Sequence, residues 1–212
     1  MNIKSLSAVL IMLAAFTIMA ACGKRDRQAG DFTAAELAMI HESDSIMRVL
    51  TIDAPSDLAV LRSLSYDLSD SALLSDDFKR LAELMVATVT HPSQDGVGIA
   101  GPQVGLNRRV VAVQRFDKEG EPFEVYPNVR IVWASDSLAA GPEGCLSVPD
   151  RRGEVLRSQE IVIEYADIAG VEQSRHGIRL KSNRCTKPVR MVRDTVSGFT
   201  AVIFQHEIDH LD

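Results

Sequence analysis

Phe199-Thr-Ala-Val-Ile-Phe-Gln-His-Glu-Ile-Asp-His-Leu-Asp212 joins an apolar run free of Gly and Pro to two histidines four residues apart. On a helix, residues i and i+4 lie one above the other, so His206 and His210 share a face and can hold one metal ion, with Glu207 beside it. Ala201 to Phe204 is apolar, which places the pair where a helix over Phe199–Leu211 enters the core. The alternative is a surface His pair at a helix end.

A catalytic ion normally has three protein ligands and keeps one position open for water. Only Leu211 and Asp212 follow His210, so the third ligand is expected upstream, among Cys145, Cys185, His41, His91, His176 and the carboxylates. Cys145 is the best of these, because Gly141-Pro-Glu-Gly-Cys-Leu-Ser-Val-Pro149 reads as a constrained loop whose glycines let the backbone approach an ion. His210 falls in a last turn whose carbonyls need partners from outside the helix, or the turn frays.

Working outward, the spacing of Leu37, Ile40, Met47 and Leu50 predicts a helix over Thr33–Leu50. Ser75 is placed to cap a second helix, with Asp76 and Asp77 in its first turn and Phe78, Leu81, Met85 and Val89 as one stripe, ending at His91-Pro92. The Gly-rich segment 96–105 lacks the Lys-Ser/Thr ending of a phosphate loop and leads into an apolar run, Val110–Val113, so an extended edge that pairs with a peptide backbone fits it better. Further strands are predicted at Val129–Trp133, Ile161–Tyr165 and Val189–Val196. The expected class is α+β: one domain with antiparallel or mixed sheets around a buried C-terminal helix.

At 212 residues, 46% apolar and 25% charged, the chain has the composition of one ordinary packed domain and not that of a disordered or multi-span membrane protein. A net charge of -6 gives no reason to expect a nucleic-acid partner. Cysteines at 22, 145 and 185 are too few and too scattered for a disulfide framework. At the N-terminus, Lys4 precedes an apolar run from Ala8 to Ala21, shorter than the roughly 20 residues of a spanning helix, and Met19-Ala-Ala-Cys22 resembles a bacterial lipobox. The expected organisation is a signal peptide over 1–22 with lipidation at Cys22, a polar tether over 23–32, and a catalytic domain over 33–212. The mature protein is then a monomeric, membrane-anchored lipoprotein, the alternative being a cytoplasmic protein.

Three motifs in order, GVGIAGPQVG at 96–105, EGCLSVP at 143–149 and QHEIDHLD at 205–212, resemble the signature motifs of the peptide deformylases, and the likeness runs from about Val49 to Asp212. The resemblance implies that Cys145, His206 and His210 hold one divalent ion, commonly Fe²⁺, with Zn²⁺ or Ni²⁺ able to substitute. It implies that Glu207 is the general base, and that Gln103 and the backbone N–H of Leu146 stabilise the developing oxyanion. Glu143 would pair with Arg152 or Arg157 and fix the loop. Val97, Gly98 and Leu146 are placed at the site of an N-formyl-methionyl peptide, whereas Ile99, Val202 and Ile203 are weighted toward the core. Among the departures from the family pattern, Gly101 replaces an Ala, expected to loosen the backbone, and the stretch around 173–187, with His176 and Cys185, is surplus. Competing functions are hydrolysis of another N-acyl peptide and a surface lipoprotein that acts as a non-catalytic binding module.

Overall fold

The computed structural model describes residues 29–168 and 189–212. The expectations at Cys22, His176, Cys185 and the signal segment lie outside the described residues. Gly30, within the stretch read as tether, bridges to Leu68, and Arg108 donates to the carbonyls of Gly30 and Asp31.

Among the described residues four helices come first: α1 (Ala34–Glu42), α2 (Pro55–Leu61), α3 (Asp70–Leu73) and α4 (Asp76–Val89). α1 is half the length expected. A Thr33–Glu36 capping box starts it, but Ser43 Oγ turns back to the Met39 carbonyl at 2.8 Å. Arg80 of α4 then takes the Ile40 and Ser43 carbonyls at 2.9 and 2.7 Å. Beyond that point Met47 and Leu50 are still buried, but on non-helical backbone held by the Met47 N–H to Thr88 Oγ1 bond. Their helical spacing therefore reflected burial rather than helix. α4 matches the prediction: Ser75 Oγ accepts the Phe78 N–H at 3.1 Å, and the stripe Phe78, Leu81, Met85, Val89 is buried together with Leu84.

β1 (Gly98–Ala100) leads through a 3-10 turn (Gly101–Val104) to β2 (Val110–Gln114) and β3 (Phe123–Pro127), which form an antiparallel sheet ordered β1-β2-β3. β4 (Arg130–Ala134), β7 (Glu160–Asp167) and β8 (Arg190–Ser197) form a second antiparallel sheet in the order β4-β7-β8. Between them in sequence, β5 (Leu138–Cys145) and β6 (Val148–Ser158) pair as a hairpin. The segment read as a constrained loop is thus the closed end of a ladder. The terminal helix α5 spans Gly198–Asp209, with Leu211 buried beyond it.

β2 explains why Val110–Val113 has no polar face. Val110 and Ala112 pack with α4, while Val111 and Val113 pack on the other side with Ala201, Phe204 and Ile208 of α5 and with Ile161, Ile163 and Val196 of the second sheet. A strand covered on both faces reads as a continuous apolar run. α5 is therefore held between two sheets in a single α+β domain.

Candidate metal and peptide site

The last turn of α5 meets the hairpin. His206 Nδ1 donates to Glu143 Oε2 at 2.9 Å, since a carboxylate can only accept, and this leaves Nε2 of His206 with a free lone pair. Glu143 is gripped in turn by Arg157, through Nε at 2.8 Å and Nη2 at 2.9 Å, while Arg157 Nη1 reaches Asp209 at 2.6 Å. Glu143 therefore pairs with Arg157 and not Arg152. Strand alternation is the reason: Glu143 and Arg157 share one face of the ladder, whereas Arg152 stands opposite Gly144 on the other. Gln205 also joins helix to hairpin, accepting from Ser158 N–H at 3.0 Å and donating to Ser158 O at 2.8 Å.

At the end of β5, Cys145 Sγ lies 3.3 Å from His210 Nε2, and one ligand atom from each of Cys145, His206 and His210 lies within 4.8 Å of the others. Burial pushes the Cys145 thiol up. Burial, with the His206 ring adding to it, pushes His210 down to about 4, so the imidazole is neutral and ready to ligate. His41 and His91, the other described candidates for a third ligand, are bound elsewhere, to Asp77 and Ser93. Glu207 is buried beside the cluster, and its Oε2 has no hydrogen-bond partner among the described residues. Its carboxyl is pushed up to about 8, by burial first and by the Glu143 charge second. An orphaned buried oxygen beside a thiol and two imidazoles suits one divalent ion and a water better than a closed polar core.

Gly98 makes the close approach possible: a Cβ there would lie 2.6 Å from Glu207 Oε1 and 2.8 Å from Ile203 Cγ2. Gln103, in the 3-10 turn, is buried and fixed by the Ala100 N–H, which donates to Oε1 at 2.8 Å; Nε2 then faces Ser147 Oγ at 3.3 Å and Cys145 Sγ at 3.5 Å. Gly101 does not loosen this turn. A Cβ would lie 2.6 Å from Arg108 O and 2.8 Å from Leu106 O, so the missing side chain is what lets the two backbones meet. The final turn is anchored too: Arg109 Nη1 and Ser65 N–H both donate to Leu211 O, and Arg109 also reaches Asp212 at 2.9 Å.

Cys145, His206 and Glu207 floor a groove of about 860 Å³, the size of a small peptide site. Val97, Gly98, Gln103, Glu143, Cys145, Leu146, Arg152, His206 and Glu207 line it, and Val202 and Ile203 do so as well, despite their expected core role; Ile99 is core. Phe199, Arg151 and the loop Ser93–Asp95 also line it and carried no sequence signal that was read. Phe199 was accessible to the helical argument, since 199, 202, 203 and 206 fall on one face of α5.

The family model for polypeptide deformylase matches residues 46–212. The chain is 31% identical over 175 residues to the peptide deformylase of Leptospira biflexa, covering 79% of this chain and 83% of that one. It is 36% identical over 155 residues to peptide deformylase 2 of Gloeobacter violaceus, covering 72% and 70%. Among solved structures, a class I type b peptide deformylase from Acinetobacter baumannii superposes with a TM-score of 0.63 at 30% identity, over 79% of this chain and 95% of that chain.

Proposed function

The chain belongs to the polypeptide deformylase family, and from that premise we propose that it hydrolyses the formyl group from N-formyl-methionyl peptides, releasing formate and a free amine. The observation that carries this is the convergence of Cys145, His206 and His210 beside Glu207, whose buried Oε2 has no partner among the described residues, with Cys145, His206 and Glu207 lining a peptide-sized groove. Cys145, His206 and His210 would hold one divalent ion, which we assign as Fe²⁺ on the family likeness; sulfur plus two imidazoles also suits Zn²⁺ and Ni²⁺. When bound, the ion supplies the Lewis acidity that polarises the formyl carbonyl and makes a water acidic enough to attack near neutral pH.

The remaining steps belong to this chain's side chains. Glu207 accepts the proton of the attacking water and delivers it to the departing amine, a role open to it because its carboxylate is not one of the three ligands. Gln103 Nε2, aimed by the Ala100 bond, donates toward the oxygen on which negative charge grows, and the Leu146 N–H serves as a second donor. Glu143 and Arg157 hold His206 in one ring orientation. The edge of β1 at Val97–Gly98 aligns the peptide backbone, and Phe199, Val202 and Ile203 receive the methionine side chain. A panel of formyl-Met and acetyl-Met peptides tests the reading: formate release without acetate release is expected, and equal release or none contradicts it.

We also propose that the protein is tethered to a membrane through a lipid on Cys22. The apolar run Ala8–Ala21 ending in Met-Ala-Ala-Cys supports this, and the chain length from Cys22 would keep Gly30 within roughly 29 Å of the bilayer. Among the described residues no helix is long and apolar enough to cross a membrane. Labelled fatty acid should enter the native protein and not Cys22→Ser; an unlabelled, soluble native protein would overturn the assignment.

A further inference from the structure

The rim of the groove carries chemistry that the hydrolytic steps do not use. In the hairpin register Cys145 stands opposite Val148 and Gly144 opposite Arg152, so Pro149, Asp150 and Arg151 protrude from the ladder. Asp150 has φ 59, a left-handed conformation costly for a residue with a side chain, so the protrusion is a constrained feature of the rim. Arg151 and Arg152 are both exposed and both line the groove. Arg108, Arg115 and Arg157 are each committed to carboxylates, but neither rim arginine has an acidic oxygen within 4.0 Å among the described residues. Asp150 and Glu154 flank them in sequence, and Asp95, at φ 48, stands on the groove wall, yet none of these three forms an ion pair with either arginine. Glu143, the other carboxylate near the hairpin, is already bound by Arg157 and His206.

Resting on the deformylase reading, we propose that Arg151 and Arg152 form a carboxylate-recognising pair that selects N-formyl-methionyl peptides with a negative charge two or three residues after the methionine. A peptide whose formyl group sits at Cys145 and whose backbone follows the β1 edge advances about 3.3 Å per residue, which carries its third and fourth residues out to the rim. The guanidinium group is planar and presents paired N–H donors that match a carboxylate better than any neutral acceptor. The charge can come from an Asp or Glu side chain or from the free C-terminus of a short peptide, because both present the same two oxygens.

The test uses the full chain loaded with metal and four peptides: formyl-Met-Ala-Gln-amide, formyl-Met-Ala-Glu-amide, formyl-Met-Ala-Gln with a free C-terminus, and formyl-Met-Ala-Lys-amide. Exposed ion pairs are worth a few-fold each, so kcat/KM for at least one carboxylate peptide should exceed that of the neutral amide by roughly 3–10-fold, chiefly through KM, with the Lys peptide slowest. The arm that gains identifies the source of the charge. The preference should shrink with added salt and disappear in R151Q/R152Q. Equal rates for all four peptides, or a preference that survives R151Q/R152Q, overturn the proposal. If no peptide is hydrolysed, the deformylase reading falls and calorimetry decides the pair separately: tighter binding of Met-Ala-Glu-amide than of Met-Ala-Gln-amide supports it, and equal binding overturns it.

Discussion

Glu207 and Gly101 show how one side chain, present or missing, sets this site. Glu207 is buried next to the candidate ligand cluster, its Oε2 without a hydrogen-bond partner among the described residues, and the spacing His206-Glu207-Ile-Asp-His210 already dictates its place beside the two histidines on a helix. The proposed histidine pair and the proposed base were legible for that reason, since four-residue helical geometry needs no knowledge of the fold. Gly101 was misread because its neighbours, Leu106 O and Arg108 O, come from a return of the chain that no local pattern reveals. Replacing a Gly in compatible backbone stabilises by about 0.4–1 kcal/mol, but a Cβ 2.6 Å from a carbonyl oxygen forces overpacking that costs about 1–3 kcal/mol. Gly101→Ala is therefore expected to lower the denaturant midpoint, and a midpoint at or above that of the native protein would show that the turn can relax.

At the level of elements, the hairpin β5–β6 and the helix α5 act as one clamp. The hairpin went unread because Gly and Pro in its first strand mimic a loop, and because its pairing depends on a turn at Leu146-Ser147 that carries no Asn-Gly or Asp-Gly signal. Without the register, Arg152 and Arg157 were equivalent candidates for Glu143; with it, alternation assigns Arg157. Groups that orient a ligating histidine typically carry 10–100-fold in metal affinity. Arg157→Ala should accordingly weaken metal binding by about that factor in a competition titration, and Arg152→Ala should leave it within about twofold. Equal losses from the two variants would remove the distinction. α1 supplies the opposite lesson, since Met47 and Leu50 keep helical spacing but are buried on backbone pinned by Thr88 Oγ1 and the Gln103 carbonyl.

Across the whole molecule, two packed layers meet on β2, and a buried ion cluster ties their far edges together. Arg115 pairs with Asp117 at 2.6 Å and Asp194 at 2.9 Å, donates to the Tyr126 hydroxyl, and lies 5.8 Å from the Phe204 ring centroid, joining β2, β3, β8 and α5. No sequence pattern links residues this distant in the chain, so the cluster was invisible beforehand, whereas the α+β class followed from local element types. The Arg115 bonds, working against a smaller desolvation effect, hold the Asp117 carboxyl down at about 2, compared with an ordinary 3.8. A depressed carboxylate stabilises the fold fully above its unfolded pKa and loses that contribution as pH falls toward the folded value. The stability difference between the native protein and Asp117→Asn should thus be constant above about pH 5 and shrink between about pH 4 and pH 2. A difference that does not change with pH would show that Asp117 contributes by packing alone.

The proposed activity needs a ligand cluster and a separate base, and Glu207→Gln tests that division most directly. Full-length protein, native and variant, would be purified without oxygen, loaded with Fe²⁺, and assayed for bound metal and for formate release from a formyl-Met peptide in the same samples. Loss of the general base while Cys145, His206 and His210 remain predicts about one ion per chain in both proteins and a fall in kcat of about 10²–10⁴-fold in the variant. Undiminished formate release by a metal-loaded Glu207→Gln protein would contradict the assignment of Glu207.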